Sequence, residues 1–286
     1  MEPDTRSTDI CIPARDGYGL GASVFRPSRP DGDVVLINSA TAVPRSFYRH
    51  FASHLAANGF IAITYDYRGI GGSRPADLKG FDASMDDWIF SDMTGALDWT
   101  RTEFAPRRLF MVGHSIGGQA TGLLDDTSSI TAMLTVSAQS GYWGLQAAEQ
   151  KYVVWLHVHI TFPLLVALFG YLPWSRFGAS EDLPKSVASD WARWCRHPDY
   201  ILGDKALPVQ RYRQFGAPVL AYSFGDDKWG TSESVDAMMK AYPKLERRHV
   251  DPAAVGLDSI GHFGYFRPPS AGLWADAVAW FNSQPI

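Results

Sequence analysis

Residues Leu109–Ala120 read LFMVGHSIGGQA. Four apolar residues run into Gly113, His114, Ser115 and the pair Gly117-Gly118. An apolar run of this kind, closed by turn residues, reads as a buried strand. The small hydroxyl at its end admits two readings. In the first it belongs to a tight turn, which Ser and Gly both favour. In the second it is a nucleophile elbow, strand to sharp bend to helix, with Ser115 at the apex. Gly113 and Gly117 then mark places where the bend leaves no room for a side chain. The G-x-S-x-G pattern is weak by itself, so its surroundings and its partners decide.

On both sides of this segment short apolar runs alternate with helix-like stretches, the pattern of a parallel α/β sheet. VVLIN (Val34–Asn38) reads as a buried strand, and YRHFASHLAANG as a helix stopped at Gly59. FIAITYDY is the next strand. A helical period then passes through Trp88, Met93, Leu97 and Trp99. Beyond the elbow come the strands TAMLTVSA and APVLAYSFGDD, the helix SVDAMMKAYP, the edge strand ERRHVDP and the terminal helix LWADAVAWFNSQ. The first thirty residues read as an antiparallel pair turning at Asp16-Gly17. Between Ala138 and about Gly216 the alternation stops, and the chain becomes rich in Trp, Pro and Leu. The expected organisation is a core of residues 1–138 and 217–286, with 139–216 inserted between strands six and seven. An insertion over the carboxyl edge of such a sheet, where ligands bind, reads as a helical lid.

A serine hydroxyl is a weak nucleophile. It needs a base to take its proton, and the base needs an acid to hold its tautomer. In open α/β sheets with this elbow the chain order is Ser, then Asp or Glu, then His. SFGDD supplies Asp226 and Asp227 directly after a strand, and IGHFG supplies His262 between glycines on a loop after the last strand. The other histidines fit worse: His50 and His54 share a helix face, His114 would point away from the apex, and His249 lies in an edge strand. Two adjacent aspartates cannot both face one imidazole, so one is the acid and the other a solvent-facing or backbone-capping carboxylate. An oxyanion needs two donors. The first is the N–H of Ile116, and the second is expected from the loop after VVLIN, Thr41 ahead of Ala40.

Taken together, GHSIGG, the loop YDYRGIGGS, SFGDD and IGHFGYFR resemble the α/β-hydrolase superfamily, in its serine-aminopeptidase and monoacylglycerol-lipase-like branch. The resemblance covers nearly all of the chain outside the insertion. It implies an eight-stranded, mostly parallel sheet with helices on both faces, and a triad of Ser115, Asp227 and His262, the second aspartate of the pair taking the catalytic place. Many relatives have His-Gly where this chain has NSATAV. Asp66 and Arg68 are read as ordering the loop beside the site.

The bulk numbers set limits. The chain has 286 residues, 46% of them hydrophobic, and a net charge of −4. No basic stripe appears, so nucleic acid is not an expected partner. Two cysteines, Cys11 and Cys195, are too few for a disulfide framework. The opening MEPDTRSTD is polar, without an apolar signal region, and a cytoplasmic protein is expected. Tyr152–Leu172 contains no Asp, Glu, Lys or Arg and is long enough to span a bilayer. A span there would separate Ser115 from Asp227 and His262, so no transmembrane span is expected. The segment reads instead as lid helices facing an acyl pocket, broken in two at Pro163, with weak membrane-surface contact left open. Trp143, Trp155, Trp174, Trp191 and Trp194 fit an aromatic lining and ordinary lid packing equally well. No metal-ligand spacing such as H-E-x-x-H occurs, and no metal or cofactor is expected. The expected activity is hydrolysis of a small-molecule carboxylic ester with an apolar acyl or alcohol group, through an acyl-enzyme. Acyl transfer, amide or peptide cleavage, and a non-catalytic binding protein of the same fold are the alternatives.

Overall fold

The computed structural model describes residues 6–177 and 181–285. The start of the polar opening, residues 1–5, and residues 178–180 of the insertion lie outside them. Eight strands form one sheet: β1 (Arg6–Pro13), β2 (Gly19–Arg26), β3 (Asp33–Asn38), β4 (Ile61–Tyr65), β5 (Arg108–His114), β6 (Ile130–Val136), β7 (Val219–Phe224) and β8 (Leu245–Val250). Their order across the sheet is β1-β2-β4-β3-β5-β6-β7-β8. The pairings β1–β2 and β2–β4 are antiparallel and the rest parallel. The central strands β3 and β5 are buried along their whole length, which is why they read as continuous apolar runs rather than alternating ones.

Successive side chains leave a strand on opposite faces. Val34 and Leu36 of β3 therefore join one core, and Val35 and Ile37 the other. On one face lie α1 (Arg49–Ala57) and α7 (Ala271–Asn282), through Phe51, Leu55, Leu273 and Phe281. On the other lie α2 (Thr94–Phe104), α3 (Ile116–Ala120) and α6 (Ser232–Met239), through Leu97, Ile116 and Val235. The Asp66 carboxylate is fully buried and takes the Arg45 guanidinium and the Gly72 N–H. Arg68 is clamped by Asp92 and Asp16. These ties fix the loop after β4, as the sequence suggested.

Between β6 and β7 the chain leaves the sheet. It forms α4 (Ala148–Phe169), a short antiparallel pair (Tyr171–Leu172 with Leu183–Pro184) and α5 (Lys185–Arg196). Two expectations are corrected here. Pro163 does not break α4, which runs on through it. A π-turn at His157–Thr161 sits directly upstream, and the wider turn accommodates the missing N–H and the ring that would otherwise strike the carbonyl four residues back. Nor does the whole apolar segment face inward. Val154, Val158 and Phe162 are buried, whereas Tyr152 is 73% exposed, Leu164 55% and Leu168 68%. A helix presents only one face to its support. By length and composition α4 could cross a membrane, but its inner face packs into the same core as α5 and the sheet.

Candidate active site

The elbow forms where β5 meets α3. Ser115 sits at φ 52°, ψ −119°, a left-handed conformation costly for any residue with a Cβ and one that persists only where its surroundings hold it. Here its N–H donates to the Val136 carbonyl, and its own carbonyl accepts from Gly118 and Gln119, each at 3.0 Å. The glycines have the role the sequence suggested. A Cβ on Gly113 would stand 2.4 Å from the Gly118 backbone, and one on Gly117 2.4 Å from the Asn38 carbonyl oxygen.

Asp227 and His262 come together from the loops after β7 and β8. His262 Nδ1 donates to Asp227 Oδ2 at 2.9 Å, which leaves Nε2 as the basic nitrogen. Asp227 Oδ1 accepts from the backbone N–H groups of Trp229 and Gly230 at 2.9 and 2.8 Å. Burial opposes the charge of this carboxylate, but the His262 ring and these hydrogen bonds prevail and hold its pKa down to about 2. Asp226 does something else. Its two oxygens accept from the N–H groups of Ile260 and Gly261, both at 2.9 Å. It is thus the backbone-capping member of the pair, and it pins the loop on which His262 stands.

One tie was not legible in the sequence. His114 is fully buried. Burial first, then the neighbouring His262 ring, lowers its pKa to about 3, so it is neutral. Its Nε2 lies 2.9 Å from the His262 carbonyl and its Nδ1 2.9 Å from the Tyr48 hydroxyl, which also accepts from the Ala40 N–H at 2.8 Å. With Nε2 donating to the carbonyl, Nδ1 accepts from Tyr48. The loop after β3 is thereby connected to the loop after β8. The Ala40 amide is already engaged, which leaves Thr41 as the better oxyanion candidate of the two.

Ser115, Thr41 and His262 line one cavity of about 600 Å³. Across it stand Val154, Val158 and Phe162 of α4, together with Trp174 and Trp191. Asp227 and Ile116 are not among the lining residues: Asp227 reaches the cavity only through His262, and Ile116 follows Ser115 in the chain. Of the five insertion tryptophans, which fitted a pocket lining and plain lid packing alike, Trp174 and Trp191 line the cavity. Trp194 packs inside, its Nε1 donating to Asp204 Oδ2 at 2.7 Å, and Trp155 is 38% exposed. The wall also carries Gln119 and Gln139, whose side chains are linked at 3.4 Å, with the Tyr200 hydroxyl donating to Gln119 Oε1 at 3.0 Å. Nothing in the sequence marked these groups.

The family described as serine aminopeptidase, S33, matches residues 30–189, more than half of the chain. The chain belongs to this family. It is an α/β-hydrolase, and a serine hydrolase by that membership. The family match ends before Asp227 and His262, whose placement rests on the geometry above. Similar solved structures include an esterase of Pyrococcus furiosus (14% identity, 98% of this chain and 92% of that one, TM-score 0.64). An esterase from Exiguobacterium antarcticum is 16% identical over 96% of this chain and 100% of that one, with TM-score 0.63. A proline iminopeptidase of Mycobacterium smegmatis is 15% identical over 96% and 98%, with TM-score 0.64. At these identities the likeness is one of fold. No curated protein matches the sequence.

Proposed function

We propose that this α/β-hydrolase cleaves a carboxylic ester with an apolar acyl or alcohol group. Ser115 attacks the carbonyl carbon. His262 Nε2 takes the serine proton and returns it to the leaving oxygen, while Asp227 holds the Nδ1 tautomer and stabilises the imidazolium. The N–H groups of Ile116 and Thr41 receive the oxyanion. A water deprotonated by the same His262 then releases the acid. The insertion, residues 139–216, acts as the lid that closes the acyl side. The observation that carries this reading is the convergence on one largely apolar cavity of a strained serine and a histidine held by a buried carboxylate.

Two of the solved structures with this fold are esterases and one is an iminopeptidase, so peptide cleavage is the reading to weigh against. A peptidase acting at a free amino terminus must bind an ammonium group, which calls for a carboxylate or a set of acceptors in the site. Among the described residues no Asp or Glu lines this cavity, and of the side-chain amide oxygens that do, those of Gln119 and Gln139 are already engaged and only Gln146 Oε1 lacks a partner. One free acceptor is a poor seat for an ammonium group, which favours the ester. A panel of p-nitrophenyl esters from acetate upward, run beside amino-acid p-nitroanilides, tests the choice. Each methylene buried contributes about 0.8 kcal/mol, so kcat/KM should rise from acetate to a medium-chain ester and then fall, with the anilides barely turned over. Steady decline from acetate, or faster anilide cleavage, contradicts the reading.

A further inference from the structure

The chain carries 30 carboxylates against 26 lysines and arginines, yet the cavity wall reverses that balance. Among the described residues it has no Asp or Glu, but it has Arg49 and Arg267. Both are exposed. The Arg267 guanidinium lies 5.9 Å from the Phe47 ring centroid, and Arg49 Nη1 donates to the Ser46 carbonyl at 3.3 Å. Among the described residues neither meets a carboxylate. Most buried or half-buried arginines here do: Arg45, Arg68, Arg74, Arg101 and Arg108 each pair with an aspartate. Arg267 also follows His262 on the same loop, whose Phe263 ring stands edge-on to Phe47 at 6.1 Å. Arg267 thus stands on the loop that carries the proposed proton donor to the leaving group, and Arg49 on the segment that carries Phe47, while the apolar residues of α4 belong to a different part of the chain.

We propose that this wall takes an anionic alcohol: the substrate's leaving group carries a carboxylate or a phosphate, held by Arg49 and Arg267. The proposal rests on the ester-hydrolase reading. In the acylation step the bond from the acyl carbon to the ester oxygen breaks as Ser115 Oγ bonds to that carbon. The leaving oxygen takes the proton from His262 Nε2, and the alcohol departs with its negative charge between the two guanidinium groups. Water then gives hydroxide to the acyl carbon and a proton to His262, the bond from that carbon to Ser115 Oγ breaks, and His262 returns the proton to Oγ. Two cations on one cavity wall, unpaired with any carboxylate among the described residues, attract such a substrate and repel a cationic one.

The test compares 4-butanoyloxybenzoate with 4-butanoyloxybenzamide, which share the acyl group and differ in the charge of a leaving group of similar size. Two exposed cations favour the benzoate by about five- to tenfold in kcat/KM at low ionic strength, mostly through KM. That ratio should fall towards one at about 0.5 M salt. It should fall likewise in the double variant Arg49→Gln with Arg267→Gln, and recover in Arg49→Lys with Arg267→Lys. A second arm needs no turnover: calorimetric titration of the Ser115→Ala variant with 4-hydroxybenzoate and 4-hydroxybenzamide, the benzoate expected to bind more tightly. Equal handling of the two compounds in both arms overturns the proposal, as does a preference that survives the glutamine variant. If neither ester is hydrolysed while the benzoate still binds more tightly, the anion site stands and the ester reading falls.

Discussion

On the sheet side of the cavity the polar groups are tied down. Ser115 is locked by backbone bonds at both of its ends, Asp227 accepts three hydrogen bonds, Asp226 pins the His262 loop, and neutral His114 joins that loop to Tyr48. On the insertion side the groups that meet the same space are mostly apolar: Val154, Val158, Phe162, Trp174 and Trp191. The first region fixes atoms to within a hydrogen-bond length, which proton transfer and charge stabilisation require. The second supplies shape and dryness, which substrate choice requires. In the proposed reading chemistry and selectivity are held on separate pieces of chain, and substitutions should separate them.

The largest effect is expected on the sheet side. Asp227→Asn should lower the turnover of a p-nitrophenyl ester by about 10⁴-fold, because an amide cannot hold the same tautomer of His262. Asp226→Asn, which keeps one acceptor oxygen for the Ile260 and Gly261 amides, should cost about tenfold or less. Initial rates on the purified variants decide the point, and an inverted ranking would make Asp226 the acid. On the insertion side the effect should be smaller and of another kind. Phe162→Asp should reduce the ratio of kcat/KM for hexanoate over acetate by about tenfold, since several methylenes lose their apolar wall. Leu164→Asp, on the outer face of the same helix, should leave that ratio within about twofold. Equal ratios in the two variants would mean that the inner face of α4 does not select the acyl group.

What was legible in the sequence follows the same division. The sheet strands announced themselves because each apolar run is closed by a turn residue, and the Ser–Asp–His order places chemistry at strand ends whatever the loops between. The choice between Asp226 and Asp227 rested on resemblance, because adjacent residues on a loop carry no periodicity. Their separation came with the two amides of Ile260 and Gly261 and the ring of His262, contacts 34 or 35 residues away. The insertion was the least legible part. A helix apolar on all sides gives no moment from which to tell Phe162, inside, from Leu164, outside. A proline reads as a break unless the π-turn ahead of it is known. The bridge from Tyr48 through His114 to His262 joins three distant segments, and no local pattern encodes it.

A subtler test of the sheet side uses pH. His114 has its pKa lowered from 6.5 to about 3 by burial and by His262. Between those values the unfolded chain binds a proton that the folded one refuses, so stability falls as pH falls through that window and is unaffected by this group above it. Asp227, lowered from 3.8 to about 2, adds stability above 3.8 that is lost as pH falls towards 2. Urea midpoints measured at about pH 7 and about pH 4.5 should therefore drop for the parent and drop less for His114→Gln. An unchanged slope would mean that His114 is not the buried neutral group described.

The most direct measurement is covalent capture of the nucleophile. Incubation with a fluorophosphonate, followed by intact-mass and peptide mass spectrometry, should give one adduct per chain, located on Ser115, with none in Ser115→Ala and a strongly slowed reaction in His262→Ala. Absence of any adduct on the folded parent, or an adduct on a different residue that persists in Ser115→Ala, would contradict the account.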